Sequence, residues 1–115
     1  MKYGFFFSII FLLNISVAQS QTTVIVEEMT SKFKVYGNCG MCEKRIEKAA
    51  KIEGVSSADW NVETKILTIT FNPAVVRPSQ VHTAVAAVGH DTEKVRADDE
   101  VYANLHGCCQ YERRE

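Results

Sequence analysis

Between residues 32 and 52 the spacing of apolar side chains changes from two to about 3.6, and a Cys-Gly-Met-Cys sequence stands at the changeover. Lys32, Phe33, Lys34, Val35 and Tyr36 alternate polar with apolar, the period of a half-buried strand with Phe33 and Val35 inward. Gly37 and Asn38 break that pattern. From 41 to 52 it becomes helical, with Cys42, Ile46, Ala49, Ala50 and Ile52 on one side and Lys44, Lys48 and Lys51 mostly on the other. In a strand-to-helix turn of this kind the sulfurs of Cys39 and Cys42 can face one ion. The amides that open the helix favour the thiolate, which is the form that binds metal. Paired thiolates select soft ions such as Cu(I), Zn(II) or their heavier analogues over hard cations.

The pattern continues for one more strand-helix cycle. Gly54 suits the left-handed position that ends the first helix. Ala58, Trp60 and Val62 then alternate with polar residues as a second strand, and 61–65 holds a turn. A third strand over 65–71 places Leu67, Ile69 and Phe71 on one face and Ile66, Thr68 and Thr70 on the other. Pro78 fits the first position of a second helix, which buries Val81, Val85 and Val88, leaves His82 exposed and stops at Gly89. Residues 90–97 form a last strand around Val95. The order strand, helix, strand, strand, helix, strand predicts an α+β, ferredoxin-like βαββαβ sandwich, with two helices on one face of a four-stranded antiparallel sheet.

The ends differ from this core. In residues 1–20 Lys2 is the sole charge and Phe5, Phe6, Phe7, Ile9, Ile10, Phe11, Leu12 and Leu13 form an apolar block, the pattern of a signal peptide cleaved after Ser20 or Ala18. The block is shorter than the ~20 residues of a membrane span and is broken by Asn14 and Ser16. Residues 21–30 read as a flexible lead-in, 31–97 as the folded domain and 98–115 as a C-terminal tail. Without Lys2, twelve basic residues face fourteen acidic ones, so no basic stripe exists to neutralise phosphates and nucleic acid is excluded as a partner. Export to an oxidising compartment also allows disulfides among the four cysteines.

The segment Gly37-Asn38-Cys39-Gly40-Met41-Cys42, followed by Arg45-Ile46-Glu47, Gly54-Val55 and Thr68-Ile69-Thr70-Phe71-Asn72-Pro73, resembles the heavy-metal-associated domain family of copper chaperones, metal-pumping ATPase domains and periplasmic mercury-binding proteins. The resemblance covers about 31–97. It implies that Cys39 and Cys42 hold Cu(I), with Hg(II) or Zn(II) as alternatives, and pass it to a membrane metal transporter or another metal-binding domain by ligand exchange, without catalysis. Three positions depart from the family pattern. Gly37 stands where a buried methionine is usual. Asn38 stands where zinc-selective relatives place an aspartate, which favours Cu(I) over Zn(II). His90 lies in the loop that approaches the metal in this fold, where an imidazole can add a third ligand or donate a hydrogen bond to a thiolate.

The tail carries Val101, Tyr102 and Leu105 at helical spacing, then His106, Gly107 and the vicinal pair Cys108 and Cys109, before a mixed-charge end read as solvated. Neighbouring cysteines seldom bridge each other. The pair can therefore lend thiolates to Cys39 and Cys42, form a second metal site, or bridge to the main pair on oxidation. Lys44, Arg45 and Lys48 offer a docking face for an acidic partner. Two other functions keep the same cysteines: an exported thiol-disulfide redox protein, and a sensor or buffer that binds metal without delivering it. A thioredoxin-like chain, however, needs a further helix before its later strands and a proline facing the cysteines, and both prolines here follow the third strand.

Overall fold

A computed structural model describes residues 27–114; the expected signal peptide and most of the expected lead-in lie outside the described residues. Three strands form an antiparallel sheet in the order β1 (Met29–Lys34), β3 (Ile66–Phe71), β2 (Val55–Trp60). Strand β1 thus begins two residues before the expected start of order. Phe33 pairs with Leu67 across β1 and β3, and Trp60 pairs with Leu67 across β2 and β3. The alternation places Phe33, Ala58, Trp60, Leu67, Ile69 and Phe71 in the core. Helix α1 (Gly40–Ala50) buries Cys42, Ile46 and Ala50 against that face, and α2 (Pro78–Ala87) buries Val81 and Val85. Complete burial of one such aliphatic side chain is worth ~1.5–3 kcal/mol, so this shared layer is the main support of the fold.

Local chemistry explains where the elements stop. The carboxylate of Glu47 on α1 accepts from the Trp60 backbone N–H at 2.9 Å, which ties the helix to the end of β2. In the β2–β3 turn the Asn61 side chain accepts from the N–H groups of Glu63 and Thr64 at 2.8 and 3.0 Å. Pro78 opens α2 as expected, behind an Arg77 N–H bonded to Gln80 Oε1 at 2.9 Å.

The expected fourth strand is corrected. Beside β1 there is a single antiparallel bridge, Val35 to Thr92, flanked by Tyr36 N–H to Asp91 O at 2.8 Å and Glu93 N–H to Lys34 O at 3.0 Å. Thr92 ends the pairing there, because its hydroxyl accepts from the N–H groups of Lys94 and Val95 while its own N–H reaches Val95 O at 2.8 Å. A side chain that satisfies the backbone locally competes with a ladder, and the chain turns instead of extending.

His82 is also corrected: it is 2% exposed, stacked on Phe33 with ring centroids 3.8 Å apart, and its Nδ1 lies 2.5 Å from the Thr92 hydroxyl. Its place on the inner side of α2 follows from its neighbour Val81 and from the reversal at Thr92, which closes over it.

The tail packs onto this core. Asp98 accepts from the Glu100 N–H and opens α3 (Asp99–Ala103), and a single 3-10 turn spans Gly107–Cys109. Leu105, Cys109 and Tyr111 are buried with the core residues. Gly89 has φ +105°, and a Cβ there would stand 3.0 Å from Leu105 Cδ2, so the residue both ends α2 and leaves room for the returning tail.

Candidate metal centre

Cys39 is the N-cap of α1: its backbone is extended, and its carbonyl accepts from the Glu43 N–H at 3.0 Å. Cys42 lies one turn into the helix, fully buried, with its sulfur accepting from the Asn38 N–H at 3.4 Å. The two sulfurs are 3.6 Å apart. This proximity follows from the spacing, since residues three apart share a helix face.

The two thiols are electrostatically unequal. The Cys42 backbone N–H, pointing at the Cys39 sulfur, outweighs burial and, with sulfur contacts from Cys42 and Cys108, brings the Cys39 thiol down to about 6. Burial pushes Cys42 up to about 11 despite the Asn38 amide. Near neutral pH the site therefore holds a thiolate and a thiol, and an ion that binds both must displace the second proton.

The tail brings the other two cysteines to the same place. Cys39 Sγ lies 3.7 Å from both Cys108 Sγ and Cys109 Sγ, which are 3.9 Å from each other. Cys108 is exposed and also contacts Met41 Sδ at 3.7 Å, while Cys109 is buried. All four cysteines are unbridged. Among the described residues, Cys39, Cys108 and Cys109 form a group of metal-ligating side chains whose ligand atoms lie within 4.8 Å of one another.

His90 stands outside that group. It is fully buried, its Nδ1 lies 2.8 Å from the Tyr36 carbonyl, and its ring stacks on Tyr111 at 5.7 Å. A carbonyl only accepts, so Nδ1 carries the proton and the lone pair is on Nε2, which is buried without a partner. Burial drives the His90 pKa down, with the nearby Arg45 guanidinium adding to the effect. The side chains gathered around Cys39 are the tail cysteines, and His90 is not among them.

Gly37 explains itself by what surrounds it. A Cβ there would meet Cys42 Cβ at 3.0 Å and the Trp60 ring at 3.1 Å, so the indole occupies the space that a side chain at 37 would need. Trp60 Nε1 donates to the Val35 carbonyl at 3.0 Å, holding the ring under the turn.

The heavy-metal-associated domain pattern matches residues 33–91. The chain belongs to that family. Copper chaperone CopZ of Staphylococcus aureus is 34% identical over 55 residues, covering 47% of this chain and 81% of the relative. Among solved structures, a CopZ metallochaperone aligns with TM-score 0.54 at 32% identity over 56% of this chain and 98% of its own. Oxidized MerP from Ralstonia metallidurans CH34 aligns with TM-score 0.55 at 30% identity, over 58% of this chain and 96% of its own. These matches establish the ferredoxin-like fold. They leave the tail aside, since the heavy-metal-associated domain pattern ends at Asp91.

Asp91, Tyr111 and Arg113 escaped sequence reasoning. The buried Asp91 carboxylate accepts from the Ala97 N–H at 2.7 Å and from Arg113 Nη2 and Nε at 2.8 and 3.0 Å. Burial alone would raise the Asp91 pKa, but Arg113 and the Ala97 amide hold it below the ordinary carboxylate value. The Tyr111 hydroxyl donates to the Gly89 carbonyl at 2.8 Å and accepts from the Asp91 N–H at 2.7 Å. Arg113 stacks on Tyr102 at 4.5 Å, and Arg114 donates to the Thr92 carbonyl at 2.7 Å. Of the end expected to be solvated, Arg113 and Arg114 are therefore anchored, while Glu112 is exposed and Glu115 lies outside the described residues. The only local signal of that anchoring was a pair of arginines, and their partners lie eleven or more residues away.

Proposed function

We propose that this protein binds a soft metal ion through Cys39 and Cys42, Cu(I) ahead of Hg(II) and Zn(II), and passes it to a partner by ligand exchange. The observation that carries the reading is the pair of sulfurs 3.6 Å apart at the opening of α1, with the Cys42 amide lowering the pKa of the Cys39 thiol. Polarisable sulfur prefers Cu(I) to hard cations, and among the described residues no carboxylate joins the sulfurs to favour a harder ion. The name of the Staphylococcus aureus relative, a copper chaperone, agrees with a copper cargo. A structure described as the N-terminal domain of a potential copper-translocating P-type ATPase from Bacillus subtilis, in the Cu(I)-loaded state, aligns at 32% identity with TM-score 0.54 over 57% of this chain and 85% of its own.

Transfer requires that a second protein reach the ion. A shallow groove lined by Met41, Lys44, Arg45, Lys48, Ala49 and Val88 runs beside the metal-binding turn, and its three cationic side chains suit an acidic docking face on a transporter or another metal-binding domain. Export of the mature protein, from the apolar leader in the sequence, belongs to the same proposal.

An anaerobic Cu(I) titration of the reduced protein against a chromophoric competitor tests the reading. One tightly held ion, lost in the Cys39→Ser/Cys42→Ser double variant, is the expected result. Retained affinity in that variant would sink the assignment of these ligands, and no competition at all would move the reading to zinc, mercury or thiol-disulfide exchange.

A further inference from the structure

We propose that the tail completes the metal site: Cys108 and Cys109 join Cys39 in a three-thiolate seat for one Cu(I)-like ion, with the Met41 thioether at its rim. The inference rests on the reading that Cys39 binds such an ion, and it changes the coordination number, the exposure of the cargo and the way it must leave.

The first argument is geometric. The sulfur-sulfur separations of 3.7, 3.7 and 3.9 Å form a nearly equilateral triangle. A circle through points so spaced has a radius of about 2.2 Å, close to the ~2.3 Å of a zinc–thiolate bond. One ion in or just above that plane can touch all three sulfurs at bonding distance. The Cys39–Cys42 pair points the same way: two sulfurs in a linear complex with bonds of ~2.3 Å would stand about 4.6 Å apart. At 3.6 Å they subtend a bent angle that leaves open space around the ion for further ligands.

The second argument is the construction of the tail. Cys109 is buried in the same core as Cys42, and the peptide N–H of Cys109 donates to the His106 carbonyl at 2.7 Å, fixing the 3-10 turn. Two residues later Tyr111 is locked by its hydroxyl to Gly89 and Asp91, and Arg113 closes on Asp91. The tail sulfurs are thus presented by an anchored segment, which reduces the entropy cost of recruiting them. Neighbouring cysteines rarely form a disulfide with each other, so the pair is available as two thiols. Each thiol that enters the coordination sphere releases its proton to solvent, and no electron is transferred.

X-ray absorption at the copper edge, on the reduced full chain loaded with one equivalent of Cu(I), reads the number of sulfur ligands directly. Three sulfurs are expected in the unmodified protein and two, those of Cys39 and the neighbouring Cys42, in Cys108→Ser/Cys109→Ser. Because Cys109 is buried and its replacement can disturb folding, Cys108→Ser alone, at an exposed position, is the second variant and is expected to lose one sulfur. Competitor titration should show a loss of roughly 10²-fold in affinity for the double variant, the scale by which a tethered extra contact strengthens binding. Two sulfurs in all three proteins would overturn the three-thiolate seat while leaving the Cys39–Cys42 reading intact. Absence of copper-sulfur scattering from the unmodified protein would overturn both.

Discussion

Two pairs of cysteines meet in this molecule, and they arrive by different physics. Cys39 and Cys42 are neighbours because a helix places residues three apart on one face, so their 3.6 Å separation is a property of a single turn. Cys108 and Cys109 reach the same sulfur across about seventy residues of chain, and only because Asp91, Tyr111, Arg113 and Leu105 hold the tail against the domain. A locally encoded site survives damage elsewhere in the fold. One assembled at long range inherits the stability of its anchors.

That contrast can be broken most severely at Cys39, the one sulfur common to both arrangements. Cys39→Ser should lower Cu(I) affinity by roughly 10³-fold or more, exceeding the loss in Cys108→Ser, since two sets of tethered contacts vanish together. Equal losses in competitor titrations of the two variants would show that Cys39 is not the shared ligand. The anchor comes next. Asp91→Ala leaves the Arg113 guanidinium with only the exposed Asp99 carboxylate, 2.7 Å away, and should cost about 3 kcal/mol in urea unfolding; a change below 1 kcal/mol would mean that the buried Asp91 pair is not what holds the tail.

A pH titration separates the core from its closure. Burial lowers the pKa of His82 and of His90 below the ordinary histidine value, so the unfolded chain takes up protons first as pH falls. Stability from these groups is complete above about pH 6.5 and declines below it, by at most ~1.4 kcal/mol per pH unit for each histidine. Denaturant midpoints from pH 8 to pH 5 should fall on the acid side, and His82→Gln should flatten the decline; a midpoint that rises on acidification would reverse the assignment. The smallest effect is expected at the turn. Gly37→Ala crowds Cys42 and the Trp60 ring and should cost about 1 kcal/mol, readable as a drop in melting temperature with a shift in Trp60 fluorescence.

Much of this was legible in the sequence because it depends on local periodicity. The alternation around Phe33 and Leu67, the helical stripe through Ile46, the stop signals at Gly54 and Gly89 and the Cys39–Cys42 turn are all read within a window of a few residues. Failures came where a distant partner decided the outcome. A strand over residues 90–97 was expected from the order of elements, yet the Thr92 hydroxyl turns the chain back on itself. His82 looked polar and therefore exposed, but stacking on Phe33 and contact with Thr92 satisfy it inside. Arg113 and Arg114 looked like a solvated terminus because nothing near them announces Asp91 or the Thr92 carbonyl. The vicinal cysteines stood out, but their place beside Cys39 depended on where the tail folds.

The Asp91 network also redraws the smallest unit that can stand for this protein. A fragment trimmed to 33–91, the stretch shared with the family, would begin inside β1, removing Met29 to Lys32 and their pairing with β3. At its other end the cut falls on Asp91, shearing away Ala97 and Arg113 and leaving a buried carboxylate beside a fresh chain terminus. Such a piece would keep the motif and lose the architecture around it. Domain swaps, fusion partners and affinity tags should therefore leave Asp91, Ala97 and Arg113 on one uninterrupted chain.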